Sequence, residues 1–291
     1  MPAMKRVAIL QSNYIPWKDY FDLVRAADEF MLYECAQYTR QDWRNRNLIK
    51  TPSGKQWLTI PIKSRFSQRI IETEVGGAVW AGNHWKTLEG FYHRAPYFDR
   101  YRSRFEAVYR SFETETRLSR INHRLIFEAA DILGIKTRIT VISDMPPFED
   151  SSARLVHLCR QAGAQEYLTG PSARNYLDVG AFERAGIQVL WADYQGYPEY
   201  PQLHPPFMHE VTVLDLIFNV GVAGRRRPKA IRCCAGVGAG GAPCGQCGLA
   251  GAANFAGRSQ SAGLLVHRRL VLCVRSFHQR FNWHALYSGG A

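Results

Sequence analysis

Three short stretches gather the residue types that bind polar or anionic ligands. Gln11-Ser-Asn-Tyr14-Ile-Pro-Trp17-Lys18 brings together an amide, a phenol, an indole and an ammonium. Gln37-Tyr-Thr-Arg-Gln-Asp42-Trp43-Arg44-Asn45-Arg46-Asn47, with Lys50 just beyond, supplies guanidinium, ammonium and amide donors beside aromatic rings. A forked guanidinium recognises phosphate or carboxylate through paired hydrogen bonds, and a ligand ring can stack on an aromatic face, so this stretch suits an anionic, ring-bearing ligand. Asp42 can orient an arginine or act as a base; in the second role it joins Lys18 as a candidate catalytic residue. The third stretch, Gly170-Pro-Ser172-Ala-Arg174 with Tyr176 following, lies between an expected strand and an expected helix, where backbone N–H groups can hold an anion. The competing reading makes Trp17 and Trp43 core residues and the arginines solvated.

Several chemistries lose their main support. The sequence has no G-x-x-x-x-G-K-[ST] loop, no G-x-G-x-x-G after its first apolar run, no H-E-x-x-H and no G-x-S-x-G. His84, His93, His123, His157, His204 and His209 follow no ligand spacing and read as ordinary surface or core histidines. No metal is expected, and no cofactor can be named.

Elements of an α/β fold must position these stretches. Arg6 to Leu10 and Glu29 to Tyr33 read as buried strands, separated by Trp17 to Ala27, whose Tyr20, Phe21, Val24 and Ala27 share a helical face. Gln56 to Ile62 alternates like a strand, with Pro61 at its edge or end. From about 83 to 133 the pattern is helical: Ile121, Leu125, Ala129 and Ile132 recur at helix spacing before Gly134. Then come a strand at Arg138 to Ile142, a helix capped by Ser151 or Ser152, a strand at Glu166 to Thr169, a helix near Ala181 to Ala185 and a strand at Ile187 to Ala192. Such alternation predicts a largely parallel, doubly wound sheet with a helical insertion, whose ligand loops follow the carboxyl ends of the strands: Gln11 to Lys18, Glu34 to Asn47 and Gly170 to Tyr176.

The net charge of +12 would ordinarily point to nucleic acid, but ten of the 37 basic residues lie from Arg225 onward without one Asp or Glu, leaving 27 against 25 acidic before them. Residues 1–223 therefore read as one near-neutral domain with no specific nucleic-acid partner. Residues 224–291 hold half of the 24 glycines and five of the seven cysteines. That is the composition of a GC-rich gene read out of register, and the expectation is a disordered or aberrant tail. Its Cys244-Gly-Gln-Cys247 pair resembles half a zinc site, but Cys233 and Cys234 are adjacent and the surroundings are Gly and Ala, so zinc is not expected. Arg225-Arg226-Arg227-Pro-Lys229 lacks the interleaved aromatics of a nucleic-acid patch. Cys35 and Cys159 read as separate thiols of a reducing compartment, and no apolar run approaches a membrane span or a signal peptide, so a cytoplasmic location without membrane insertion is expected.

The stretches also resemble a known family. Val7-Ala-Ile-Leu-Gln11-Ser-Asn-Tyr14-Ile-Pro16-Trp17-Lys-Asp-Tyr20-Phe21-Asp-Leu23 is similar to the opening of WbqC-like proteins, and the likeness continues through Gln37 to Pro52 and Trp57-Leu-Thr-Ile-Pro61. It resumes at Tyr167-Leu-Thr-Gly170-Pro171, Tyr176-Leu177, Gly186-Ile187, Tyr200-Pro-Gln202 and Leu214-Asp215-Leu-Ile-Phe-Asn219. Ser12 stands where the family usually has Pro, Asp19 where it has Gly, and Cys35 where an acidic residue often follows Glu34. The resemblance implies ligand contacts at the matching positions, Tyr200 and Gln202 included. It also implies an accessory role in bacterial surface-polysaccharide (O-antigen type) synthesis. The expected activity is transfer of an acyl or aminoacyl group to an activated sugar or amino-sugar precursor, free or carrier-bound. Nucleotidyl transfer is the alternative, since the βαβ opening is similar to nucleotidylyltransferases, although Pro16-Trp17-Lys18-Asp19 replaces their H-x-G-H pair. A non-catalytic binding or assembly module would use the same loops.

Overall fold

The computed structural model describes residues 4–63, 67–148 and 150–221. The expectations for residues 224–291, the C-x2-C pair and the basic run included, lie outside them.

The chain opens as a βαβ unit. β1 (Arg6–Leu10) and β2 (Glu29–Tyr33) pair in parallel with Ala8 opposite Phe30, and α1 (Lys18–Ala26) joins them. The chain then leaves the sheet for an antiparallel hairpin, β3 (Arg46–Thr51) and β4 (Gly54–Thr59), and a short pair, β5 (Ile62–Lys63) and β6 (Glu74–Val75). The insertion continues as α2 (Val79–Tyr92), α3 (Phe98–Ser111) and α4 (Leu118–Ile132). α4 buries the repeat Ile121, Leu125, Ala129 and Ile132, and the chain turns away at Gly134, whose φ of 65° is open to glycine without strain. It returns to the sheet as β7 (Arg138–Ile142), α5 (Ser151–Gln161), β8 (Glu166–Thr169), α6 (Val179–Arg184) and β9 (Gln188–Trp191), and ends in α7 (Val213–Val220).

The five sheet strands run parallel in the order β7-β2-β1-β8-β9. Successive strands step outward from β1 on one side, then start again beside β1 on the other, so the order reverses between β1 and β8. Alternate residues of each strand face opposite layers. Ala8, Phe30, Leu32, Leu168 and Leu190 pack with α1, the inserted helices and α7. Val7, Ile9, Met31, Tyr33, Tyr167, Val189 and Trp191 pack with α5 and α6.

Three local expectations are corrected. Asp150, not Ser151 or Ser152, caps α5, its carboxylate accepting from Ala153 N, because the helix already starts at Ser151, earlier than either serine cap requires. The strand expected over Gln56 to Ile62 divides into β4 and β5, since Pro61 has no N–H to continue a ladder. The loop expected to run to Asn47 ends where β3 begins at Arg46. Cys35 and Cys159 are free thiols.

Candidate functional site

In a parallel sheet, the loops after two strands on either side of an order reversal diverge and leave a crevice between them. Here those loops follow β1 and β8, and they carry Gln11 to Trp17 and Gly170 to Tyr176. Arg44 crosses to the first loop, its guanidinium donating to Gln11 Oε1 at 3.0 Å and to Asn13 Oδ1. Asp42 lies 3.8 Å from the same guanidinium, while its own oxygens accept from Thr39 Oγ1 at 2.5 Å and Trp43 N at 2.7 Å. Its contacts are those of a residue that orients the arginine and its turn.

One strand further, immediately after β2, Glu34 is fully buried. Its carboxylate accepts from Ser12 N and Ser12 Oγ, both at 3.1 Å, and His123 Nε2 of α4 stands 3.2 Å away. The adjacent Asn122 donates to Ser12 Oγ at 3.3 Å and to the Arg44 carbonyl at 2.9 Å. The side chain of His123 keeps 13% of its surface exposed, while the carboxylate beside it is fully buried. Gln11, Ser12, Asn13, Glu34, Arg44, Asn122 and His123 thus form one connected constellation. Sequence reasoning passed over Glu34 and His123. The available signals were a carboxylate directly after the apolar run Phe30 to Tyr33 and the polar Ser119 and Asn122 among the buried residues of α4.

The other residues singled out from sequence fall into two groups. Trp17 and Gly170 stay at the crevice: Trp17 meets Tyr194 edge-on at 5.7 Å, and a Cβ on Gly170 would stand 3.2 Å from the Tyr194 hydroxyl. Ser172 and Tyr176, both half-buried, follow in and just after a 3-10 turn. Gln37 is exposed and bridges through its backbone to Arg69, while Arg46 stacks on Trp57 at 4.2 Å, with Trp43 against the same ring at 5.4 Å.

The second group lies inside the protein. Tyr14 is fully buried, its hydroxyl bonded to His84 at 2.7 Å and Tyr109 at 2.8 Å. Asn45 donates to the Ile60 carbonyl, and Asn47 donates to the carbonyls of Tyr14 and Ile15. Lys18 is buried, with Nζ donating to the His209 carbonyl at 3.1 Å and standing 3.6 Å from Asp19 Oδ1. Lys50 Nζ donates to the Pro206 carbonyl at 2.6 Å, and burial lowers its pKa. Tyr200 and Gln202 both bond to Asp215, whose pKa is raised by its own burial.

Among the described residues no three His, Cys, Asp or Glu side chains gather as metal ligands, and no helix is long and apolar enough to cross a membrane.

An uncharacterized protein of Mycobacterium tuberculosis (strain ATCC 25618 / H37Rv) is 46% identical over 233 residues, covering 79% of this chain and 99% of that protein. No solved structure matches the chain. The model of the WbqC-like protein family matches residues 11–227, a span that takes in every residue of the constellation. The chain therefore belongs to the WbqC-like protein family.

Proposed function

We propose that this protein is a transferase acting on an activated sugar or amino-sugar precursor of bacterial surface polysaccharide. In this reading it works in the cytoplasm, residues 1–223 form the working domain, and the substrate lies across the carboxyl edge of β1 and β8. The observation that supports it is the Glu34–His123 pair beside the Arg44 fork, at the edge where open α/β sheets bind ligands. As a substrate hydroxyl or amine attacks the group being transferred, its proton passes to the imidazole of His123 and then to the leaving group. The Glu34 carboxylate holds the imidazolium formed between the two steps. Arg44, Gln11 and Asn13 hold polar or anionic atoms of the substrate, and Trp17 with Tyr194 bounds it on the other side.

The proton transfer goes to His123 in preference to Asp42 or Lys18 on physical grounds. Lys18 is buried against the His209 carbonyl and Asp19, and Asp42 is occupied by Thr39, Trp43 and Arg44. The test is a thermal-shift panel on the full chain with ATP and magnesium, acetyl-coenzyme A and several nucleotide-sugars. A ligand at about 100 times its dissociation constant adds roughly 2.7 kcal/mol to stability. A selective shift, followed by turnover that His123→Gln abolishes, is the expected result. Binding without turnover in wild type would replace the transferase by a ligand-binding or assembly role.

A further inference from the structure

The two amides on either side of Ser12 share one partner, and that partner fixes their chemistry. Gln11 and Asn13 are half-buried, and each turns its side-chain oxygen to Arg44: Gln11 Oε1 accepts from Nη2 at 3.0 Å and Asn13 Oδ1 from Nη1. A guanidinium has donors only, so it settles which end of each amide faces it. The oxygens point in and both NH2 groups point away. Neither NH2 group has a hydrogen-bond partner among the described residues, and neither nitrogen is sealed from the surface. The side chain of Arg44 is only 7% exposed, so a ligand meets the amides before the guanidinium that orders them.

The chain keeps the two donors together. Gln11 and Asn13 are two positions apart, which limits their Cα separation to about 7 Å, and both amides end on the terminal nitrogens of one guanidinium. Two NH2 groups held in this way give the carboxyl end of β1 an edge that only donates. Such an edge repels an ammonium, which also brings only donors, and it offers no acceptor to the proton of a hydroxyl. A carbonyl oxygen suits it, with two lone pairs and no proton. A carboxylate or phosphate also brings lone pairs, but finds little charge to meet it. Arg44 is the one cation bonded to this loop; Asp42 stands 3.8 Å from it, and the buried Glu34 carboxylate accepts from Ser12, between the two amides.

We propose that Gln11 and Asn13 select a sugar bearing an N-acyl group, their NH2 groups donating to its acyl oxygen, and that Arg44 positions them by fixing the sense of both amides. This deepens the transferase reading and rests on it for the sugar that carries the acyl group.

The experiment is ligand-observed NMR titration of the full chain with N-acetylglucosamine, glucosamine, glucose and glucuronate at about pH 6, where glucosamine carries an ammonium. The proteins are wild type, Gln11→Glu, Asn13→Asp, Arg44→Lys, and Gln161→Glu, an exposed residue of α5, as control. Gln11→Glu and Asn13→Asp keep an acceptor for Arg44, now charged, so the melting temperature holds or rises, while an oxygen replaces the NH2 group that faces the ligand. Wild type should bind N-acetylglucosamine in preference to the other three sugars, and each of these two variants should lose about tenfold in that affinity. Arg44→Lys has one ammonium in place of a fork and frees an amide to turn, so its preference for N-acetylglucosamine over glucosamine should fall several-fold. Gln161→Glu should change nothing. Wild-type affinity in Gln11→Glu or Asn13→Asp, tighter binding of glucosamine or glucuronate than of N-acetylglucosamine, or no binding of any of the four overturns the proposal. So does a fall in melting temperature that matches the loss of binding, which would make the amides structural. The transferase reading survives each of these results if a ligand without an N-acyl group is turned over and His123→Gln abolishes the turnover.

Discussion

Glu34→Gln preserves the shape of a fully buried side chain and removes its charge. In the wild type the carboxylate accepts two hydrogen bonds from Ser12 at 3.1 Å and stands 3.2 Å from His123 Nε2. The amide carbonyl can still accept from Ser12 N–H, and the amide NH2 can donate to Ser12 Oγ, whose own hydrogen is free to turn. The stability lost is then the difference between charge-assisted and neutral bonds, offset by relief of a desolvated charge. That amounts to about 1 kcal/mol, or roughly 3 °C in melting temperature for a domain of this size. Glu34→Ala instead strands the buried Ser12 N–H and opens a cavity, at about 3 kcal/mol. Turnover should not follow that ranking. Both variants leave the imidazolium of His123 without its counter-charge, so kcat falls by about 100-fold or more in each. Urea denaturation and turnover are measured on the same preparations. If Glu34→Gln turns over within about threefold of wild type, the carboxylate is structural and the proton route through His123 is refuted.

Two further outcomes test the scaffold. Asn47→Ala removes three hydrogen bonds, to the Tyr14 and Ile15 carbonyls and from Leu48 N, and frees Ile15 from its positive φ of 36°. Denaturation should show a loss of about 2–4 kcal/mol, and a loss below about 1 kcal/mol would show that these bonds do not fix the β1 loop. Burial depresses the pKa of His84 to about 4, so the unfolded chain binds this proton more tightly than the folded one. The resulting stability is complete above about pH 6.5 and is lost as pH falls toward 4, by about 3 kcal/mol in all. In melts across that window His84→Gln should remove this part of the slope; an unchanged slope would place the acid sensitivity elsewhere.

The parts of the molecule that were legible from sequence are those whose pattern is local. β1, β2, β7 and β8 have the limits expected of apolar runs, and α4 and its Gly134 stop follow from helical spacing. β3 escaped notice because Arg46-Asn-Leu-Ile-Lys-Thr51 is polar by composition, and only its pairing with β4 and its burial make it a strand. α7 escaped for a different reason. It is only eight residues long, and its polar pair, Asp215 and Asn219, lies one turn apart on a face that is buried, so the polar positions mark no solvent side. The Glu34–His123 pair is a tertiary contact between a strand end and an inserted helix, and no spacing rule reaches that far. Tyr14 and Lys50 look like ligand residues by type, yet both are buried, and each bonds to groups brought in from other parts of the chain.

Why the family landmarks near the end of the domain lie apart from the constellation has a physical answer. Asp215 on α7 accepts from the hydroxyls of Tyr200 at 2.7 Å and Tyr92 at 3.1 Å and from Gln202 Nε2 at 2.9 Å. The Tyr92 hydroxyl in turn accepts from Lys50 N of β3, three residues beyond Asn47. Asn47 holds the carbonyls of Tyr14 and Ile15, and Tyr14 N donates to the Trp43 carbonyl, beside Arg44. Buried hydrogen bonds, joined between Lys50 and Asn47 by the backbone of β3, thus run from the last described helix, through the hairpin, to the loop that presents Gln11, Ser12 and Asn13. A buried carboxylate with three donors is costly to desolvate, as the raised pKa of Asp215 records, and its donors offset that cost only while all of them stay in place. Such a network tolerates few alternative geometries. Residues that never touch a ligand can therefore set where Arg44 and Glu34 stand, and a sequence landmark can mark the frame of a site as readily as the site itself.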